Sequence, residues 1–274
     1  MGLKLFLVFL RFAGGLSAFP AESPCTKFPL TRSGGLFWAE VEVASGHTPA
    51  PVKLRMLVDT GWNDVSLTPE GCAKIHCKLE DAKEKKAGGG LVILGNQAIQ
   101  NQNFWVDAVA VEKGMDGILG TGVLFAKPLL VDFKEGSLCF LNRPLPAAAK
   151  KLGMKPIPAR YGNDGAWISI DTGGRKIPDV LVDSGADKTS LLPEHLKALK
   201  LKPVGRESRT NNDVRYDAEL FAGIPLAVGS ISATPPAIAS APNRGLQKLG
   251  MDVLAGKILG FDETSGVLYL GTSP

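Results

Sequence analysis

The sequence predicts an all-β protein built as two homologous halves, and three observations lead there. Leu57-Val58-Asp59-Thr60-Gly61 returns as Leu181-Val182-Asp183-Ser184-Gly185. The periodic segments are short and bounded by turn formers, as at Ala50-Pro51, Gly88-Gly89-Gly90, Gly95-Asn96 and Gly173-Gly174, which is the punctuation of a sheet protein. Helical spacing is brief, covering Pro193 to Leu199 and Pro69 to Ile75. Each of these opens on a proline, whose fixed φ suits a first helical turn.

Taken in order, residues 1–18 read as a secretory signal: Lys4, the apolar run Leu5 to Leu10, then Leu16-Ser17-Ala18 ahead of Phe19. Arg11 interrupts the run, and a buried first strand is the other reading. The run is too short to span a bilayer and no second long one follows, so the expectation is a secreted or periplasmic chain without a stable membrane span. The formal charge of +4 implies no polyanionic partner. Lys83-Glu84-Lys85-Lys86, the densest basic stretch, is broken by an acid and lacks interleaved aromatics, so no nucleic-acid binding is expected.

The repeat divides the remainder into residues 19–145 and 146–274, each long enough to bury a core. The boundary is expected in the proline-marked, polar connector Asn142 to Lys151. Phe37-Trp38-Ala39-Glu40-Val41 answers Ala166-Trp167-Ile168-Ser169-Ile170, each an alternating strand pattern ahead of its aspartate. Val58 to Glu70 then runs in register with Val182 to Glu194, repeating Val, Asp, Gly, Ser, Leu, Pro and Glu at the same offsets. Downstream, Gly114-Met115-Asp116-Gly117-Ile118-Leu119-Gly120 is matched to Gly250-Met251-Asp252-Val253-Leu254-Ala255-Gly256. Gly136 to Leu141 and Gly266 to Leu270 close the halves as strands. Asp171-Thr172-Gly173 also spells the three-letter motif, but it lacks the apolar approach and the Ser-Leu-x-Pro-Glu that follow the other two. It is expected to be a hairpin residue.

Asp59 and Asp183 each stand where a buried strand runs into a tight turn, a costly place for a charge. His47, His76 and His195 show no His-x-x-x-His or Gly-x-Ser-x-Gly context, which leaves a serine or metallo-hydrolase without base or ligands. Four cysteines, 25, 72, 77 and 139, allow three pairings in an exported chain. Cys72, His76 and Cys77 do not complete four ligands, so no metal is expected.

The order hydrophobic-hydrophobic-Asp-Thr/Ser-Gly, a Gly-rich hairpin, then hydrophobic-hydrophobic-Gly, found twice, resembles the aspartic peptidases. It is most similar to the compact retropepsin-like members, here with two lobes fused in one chain as in the pepsin-like enzymes. The resemblance covers residues 28–271. It implies a bilobal acid-protease fold with pseudo-two-fold related lobes, acting as a monomer on a peptide or protein substrate without a cofactor. It implies Asp59 and Asp183 as the catalytic pair, one from each lobe, with Thr60 and Ser184 hydroxyls bonding across to the opposite lobe and Gly61 and Gly185 permitting close passage.

The resemblance also implies a Cys72–Cys77 loop, leaving Cys25 for Cys139. Substrate-covering flaps are expected at Gly88-Gly89-Gly90 and at Asn211-Asn212. Trp62-Asn63 and Ala186-Asp187 stand where such enzymes carry a small residue followed by Ser or Thr. Asn63 and Asp187 are expected to accept the bond that a hydroxyl usually makes. A catalytically inactive protein of the same fold, holding a peptide or protein partner in its cleft, is the alternative expectation.

Overall fold

Alternation of side chains dictates the first long strand, Leu36–Ser45. Ala39, Val41 and Val43 are buried while Glu40 and Glu42 are exposed, the period of two that places one face on a core. Its partner Val52–Val58 loses that alternation at its end. There Met56, Leu57 and Val58 are all buried: Met56 and Val58 join the main apolar cluster, and Leu57, on the other face, joins Trp38 and Ile118, while Leu36–Ser45 and Gly117–Leu119 pair with the strand's two edges. The computed structural model describes residues 27–47, 50–108, 111–142, 144–211, 214–241 and 245–272. The expected signal segment, Cys25 and Asn212 lie outside them.

Strands make up 52% of the structure and helix 13%, so the all-β expectation holds. An eight-stranded sheet gathers the strands from Thr31 to Leu119, and a ten-stranded sheet those from Arg160 to Leu249. A third sheet of six strands combines Phe28–Pro29, three strands from the middle of the chain between Leu129 and Pro158, and two between Lys257 and Thr272. At its centre Leu129–Asp132 pairs antiparallel with Lys257–Asp262, Leu129 opposite Phe261. Phe125 stacks on Phe261 with ring centroids 4.9 Å apart. One buried apolar cluster runs through residues of both halves, from Val41, Val58 and Phe104 to Ile177, Val182 and Leu254.

Several expectations are met locally. Pro69–Lys74 and Pro193–Ala198 are helical, and Thr68 caps the first by accepting the Gly71 N–H at 3.0 Å. Trp38 and Trp167 lie on the alternating strands expected for them, Leu36–Ser45 and Gly165–Thr172, and are buried. Asp171 is exposed and pairs with Lys176 just before the Gly173-Gly174 turn. Cys72 and Cys77 form a disulfide behind the first helix, which removes the thiolates that a metal at Cys72, His76 and Cys77 would need. Cys139 is disulfide-bonded as well; its expected partner, Cys25, lies outside the described residues.

Within the expected connector, Leu145–Lys151 is a helix. Leu145 and Ala149, four apart, bury one face against Leu130, Leu141, Met154 and Ile258. The prolines mark the start of that helix, and the alanines continue it.

Two expectations are corrected. Gly88, Gly89 and Gly90 are not a hairpin tip but lie inside the strand Lys86–Leu94. The turn is at residues 82–85, where Lys85 has φ +56°. The glycines answer to crowding, since a Cβ on Gly90 would meet Phe104 Cε2 at 2.1 Å and the Ala44 carbonyl oxygen at 2.7 Å. Finally, the downstream segment Gly114 to Gly120 is not the counterpart of Gly250 to Gly256. The strand Gly117–Leu119 corresponds to Lys248–Leu249 preceded by Gln247, and not to residues 253–255. Each of the two strands runs parallel to the one that delivers its aspartate.

The Gly90 packing makes a specific expectation. Gly90→Ala destabilises the whole chain by about 1–3 kcal/mol, the usual cost of overpacking, in urea unfolding followed by circular dichroism. A substitution in a mobile tip would leave the midpoint unchanged.

Candidate functional site

The two aspartates are delivered by matching backbone frames. In the first half, Leu57 and Val58 pair in parallel with Ile118 and Leu119, and Asp59 N–H donates to the Leu119 carbonyl at 3.1 Å. In the second, Leu181 and Val182 pair with Lys248 and Leu249, and Asp183 N–H donates to the Leu249 carbonyl, also at 3.1 Å. Each loop is then tied to a following short helix. Thr121 and Gly122 N–H groups donate to the Trp62 and Asn63 carbonyls, both at 2.8 Å. Met251 and Asp252 do the same to Ala186 and Asp187 at 2.8 and 3.2 Å. Gly120 and Gly250 permit this: a Cβ on either would fall within 2.2–2.9 Å of the opposing loop backbone.

A reciprocal set of hydrogen bonds locks the loops together. Thr60 Oγ1 donates to the Val182 carbonyl at 2.8 Å and accepts the Ser184 N–H at 3.1 Å. Ser184 Oγ donates to the Val58 carbonyl at 2.7 Å and accepts the Thr60 N–H at 3.1 Å. Both side chains are fully buried, where an unpaired hydroxyl or amide is costly, so the four bonds stand or fall together.

Gly61 and Gly185 then pass against the opposite carboxyls. A Cβ on Gly61 would lie 2.6 Å from Asp183 Cγ, and one on Gly185 2.1 Å from Asp59 Oδ2. Each glycine N–H also donates to the Oδ1 of the aspartate two residues before it, at 2.8 Å for Gly61 and 2.9 Å for Gly185.

The carboxyls of Asp59 and Asp183 are in hydrogen-bond contact, and the residues are 7% and 2% exposed. Burial raises Asp59 well above the ordinary aspartate value, and the charge of Asp183 raises it further. Lys248 Nζ and the Gly61 N–H work in the opposite sense.

Lys248 is the residue that the sequence reading missed. Its Nζ lies 2.8 Å from Asp183 Oδ2. Burial alone would lower its value, yet the carboxylate of Asp183, with Asp59 behind it, holds the lysine above the ordinary range. The corresponding residue of the first half is Ile118, packed among Trp38, Leu57 and Trp62. The signal was present in the copies: aligning Ile118-Leu119-Gly120 with Lys248-Leu249-Gly250 exposes the exchange. The shared Met-Asp of residues 115–116 and 251–252 drew the alignment elsewhere.

A groove of about 380 Å³ is lined in part by Gly185 and Lys248. Leu36 and Val111 line it from the first half, and Asp187, Arg209, Tyr216 and Lys248 from the second. The arms of the hairpin Pro203–Asn211 and Val214–Ala222 border it. Asn211 lies at the end of one arm, while Gly88, Gly89 and Gly90 are not among the lining residues. Tyr216 also faces the groove.

Trp62 turns back onto Trp38, Leu57 and Ile118, with its Nε1 donating to Ser66 Oγ at 2.7 Å. It therefore leaves the pair uncrowded. The Asp187 carboxylate accepts Arg209 Nη2 at 2.6 Å, and its carbonyl, like that of Asn63, receives the backbone of the short helix. Thr189 Oγ1 donates to Asp252 Oδ1 at 2.6 Å and accepts the Gly250 N–H at 3.1 Å. Trp105 is half-buried and donates from Nε1 to Asp64 Oδ2 at 3.0 Å.

No protein-family model matches the chain, and no curated protein matches it.

Two expectations follow from the buried network. Thr60→Val costs about 1–3 kcal/mol for each buried partner left unsatisfied, measured by chemical denaturation with Ser184→Ala as its non-additive companion. Asp59→Asn acts through pH. The folded value of Asp59 lies above its unfolded value, so its contribution is complete at acid pH and is lost as pH rises through the folded value. The variant therefore melts higher than the wild type at neutral and alkaline pH, and the difference closes in acid.

Proposed function

We propose that the chain is an aspartic endopeptidase, hydrolysing peptide bonds with a water activated between Asp59 and Asp183. The observation that carries this reading is the hydrogen-bond contact of the two carboxyls under the Thr60/Ser184 network. Two carboxyls this close do not both ionise cheaply, so the pair keeps one proton over a working range. One member is then a base and the other an acid, which is what uncatalysed amide hydrolysis lacks.

In this reading the carboxylate takes a proton from water, the hydroxyl attacks the carbonyl carbon, and the carboxylic acid protonates the carbonyl oxygen. On collapse of the resulting diol, the first carboxyl gives its proton to the departing nitrogen. The second recovers its own proton from a diol hydroxyl, and the pair ends as it began. The substrate lies extended in the groove beside Lys248, with the hairpin Pro203–Asn211/Val214–Ala222 along it. Added-strand pairing to such a hairpin supplies main-chain affinity.

The motif resemblance to the aspartic peptidases supports the same reading. Both half-sites lie in one chain, so a monomer suffices, and the chemistry calls for no cofactor. The alternative is a protein of the same fold that binds a peptide or protein without cutting it. The ammonium of Lys248 seated on Asp183 favours that second reading.

Cleavage of a mixed peptide library separates the two. The peptidase reading expects turnover that falls at least about 10²-fold in Asp183→Asn, the scale on which acid–base catalysis contributes, with the fold intact by circular dichroism. Turnover equal in the wild type and the variant sinks the proposed mechanism. Retention of a peptide by both proteins without cleavage establishes the binding reading.

A further inference from the structure

We infer that Lys248 is a positioning residue that breaks the equivalence of the two carboxyls, making Asp183 the ionised base and leaving the shared proton on Asp59. The inference rests on the peptidase reading for its catalytic meaning, but it concerns a property of the pair that is measurable without catalysis.

The two loops are built alike up to the carboxyls: both aspartate N–H groups bond the facing strand, both Oδ1 atoms accept a glycine N–H, and both hydroxyls cross to the other loop. Nothing in that frame tells one aspartate from the other. Lys248 does, because its counterpart Ile118 has no charge and packs on Trp38 and Trp62. The Lys248 Nζ lies 2.8 Å from Asp183 Oδ2, and its side chain is 23% exposed over an aspartate that is 2% exposed. An ammonium at that distance favours the charged form of the carboxyl that it touches, and the favour is large where water is excluded.

The charged groups around Lys248 leave it free to do this. Asp183 and Asp59 face it from the two loops, and Tyr216 from the strand Val214–Ala222. The remaining charges lining the groove are matched among themselves. Lys188 Nζ lies 2.5 Å from Glu207 Oε2, and Arg209 lies 2.6 Å from both Glu207 Oε1 and Asp187 Oδ1. Lys248 is the cation committed to the pair.

In the reaction, Asp183 takes the proton from water and Asp59 donates its own to the carbonyl oxygen.

The test uses the full chain labelled with ¹³C at the aspartate carboxyls, assigned with Asp59→Asn and Asp183→Asn, and observed at about pH 6, above the ordinary aspartate range. The inference expects the protonated signal on Asp59 in the wild type and in Lys248→Arg. It expects the proton to be shared between the two carboxyls in Lys248→Met. The acidic limb of the kcat/KM profile should then move to higher pH in Lys248→Met and stay in place in Lys248→Arg, a displacement that a purely structural role would not produce.

A proton on Asp183 or spread over both carboxyls in the wild type overturns the inference, as does an unchanged distribution in a folded Lys248→Met. The wild-type spectrum decides the placement even if Lys248→Met does not fold. A proton on Asp59 in a chain that cuts no peptide supports the placement and removes the peptidase reading.

Discussion

Two carboxyl groups brought together out of water repel each other and lose hydration, so something must hold their backbones in place. Here it is the exchange of four hydrogen bonds between Thr60 and Ser184 and the carbonyls and amides of the opposing loops. Much else in the structure is arranged for that exchange. The strands Val52–Val58 and Arg175–Val182 are hydrogen-bonded along both edges near their ends, so the loops start from fixed points. The six-stranded sheet, with Leu129–Asp132 against Lys257–Asp262, joins the halves that carry the two loops. The glycines at 61 and 185 let each backbone pass beside the other half's carboxyl, where a methyl group would overlap it.

The class of fold and the two aspartate loops were legible in the sequence because both are written in short-range terms. Strand alternation, Gly and Pro punctuation and a repeated five-residue motif depend on a few neighbouring residues. Features that depend on distant packing were not legible. Gly88-Gly89-Gly90 looks like a turn until Phe104 and the Ala44 carbonyl are placed beside Gly90. The helix at Leu145 to Lys151 depends on the surface that Leu130 and Ile258 supply for Leu145 and Ala149. Trp62 looks like an obstruction beside the pair until Trp38 and Ile118 receive it.

Lys248 was hidden for a different reason. Its meaning lies in a comparison between the halves, and similarity at Met115-Asp116 and Met251-Asp252 drew that comparison out of register. Hydrogen bonds from the two aspartate amides to Leu119 and Leu249 fix the true correspondence. Once they do, a lysine stands where an apolar strand residue packs in the other half. The tie between the loops makes the carboxyls adjacent, and the asymmetric neighbour makes them different. A paired acid and base needs both.

The central claim is that Asp59 and Asp183 work as one unit carrying a single proton, and the dependence of kcat/KM on pH for a cleaved peptide tests it most directly. The account predicts a bell with one limb for each proton of the pair and no activity where both carboxyls are protonated or both ionised. A profile governed by one ionisation alone, or one whose limbs survive in Asp59→Asn, would contradict it.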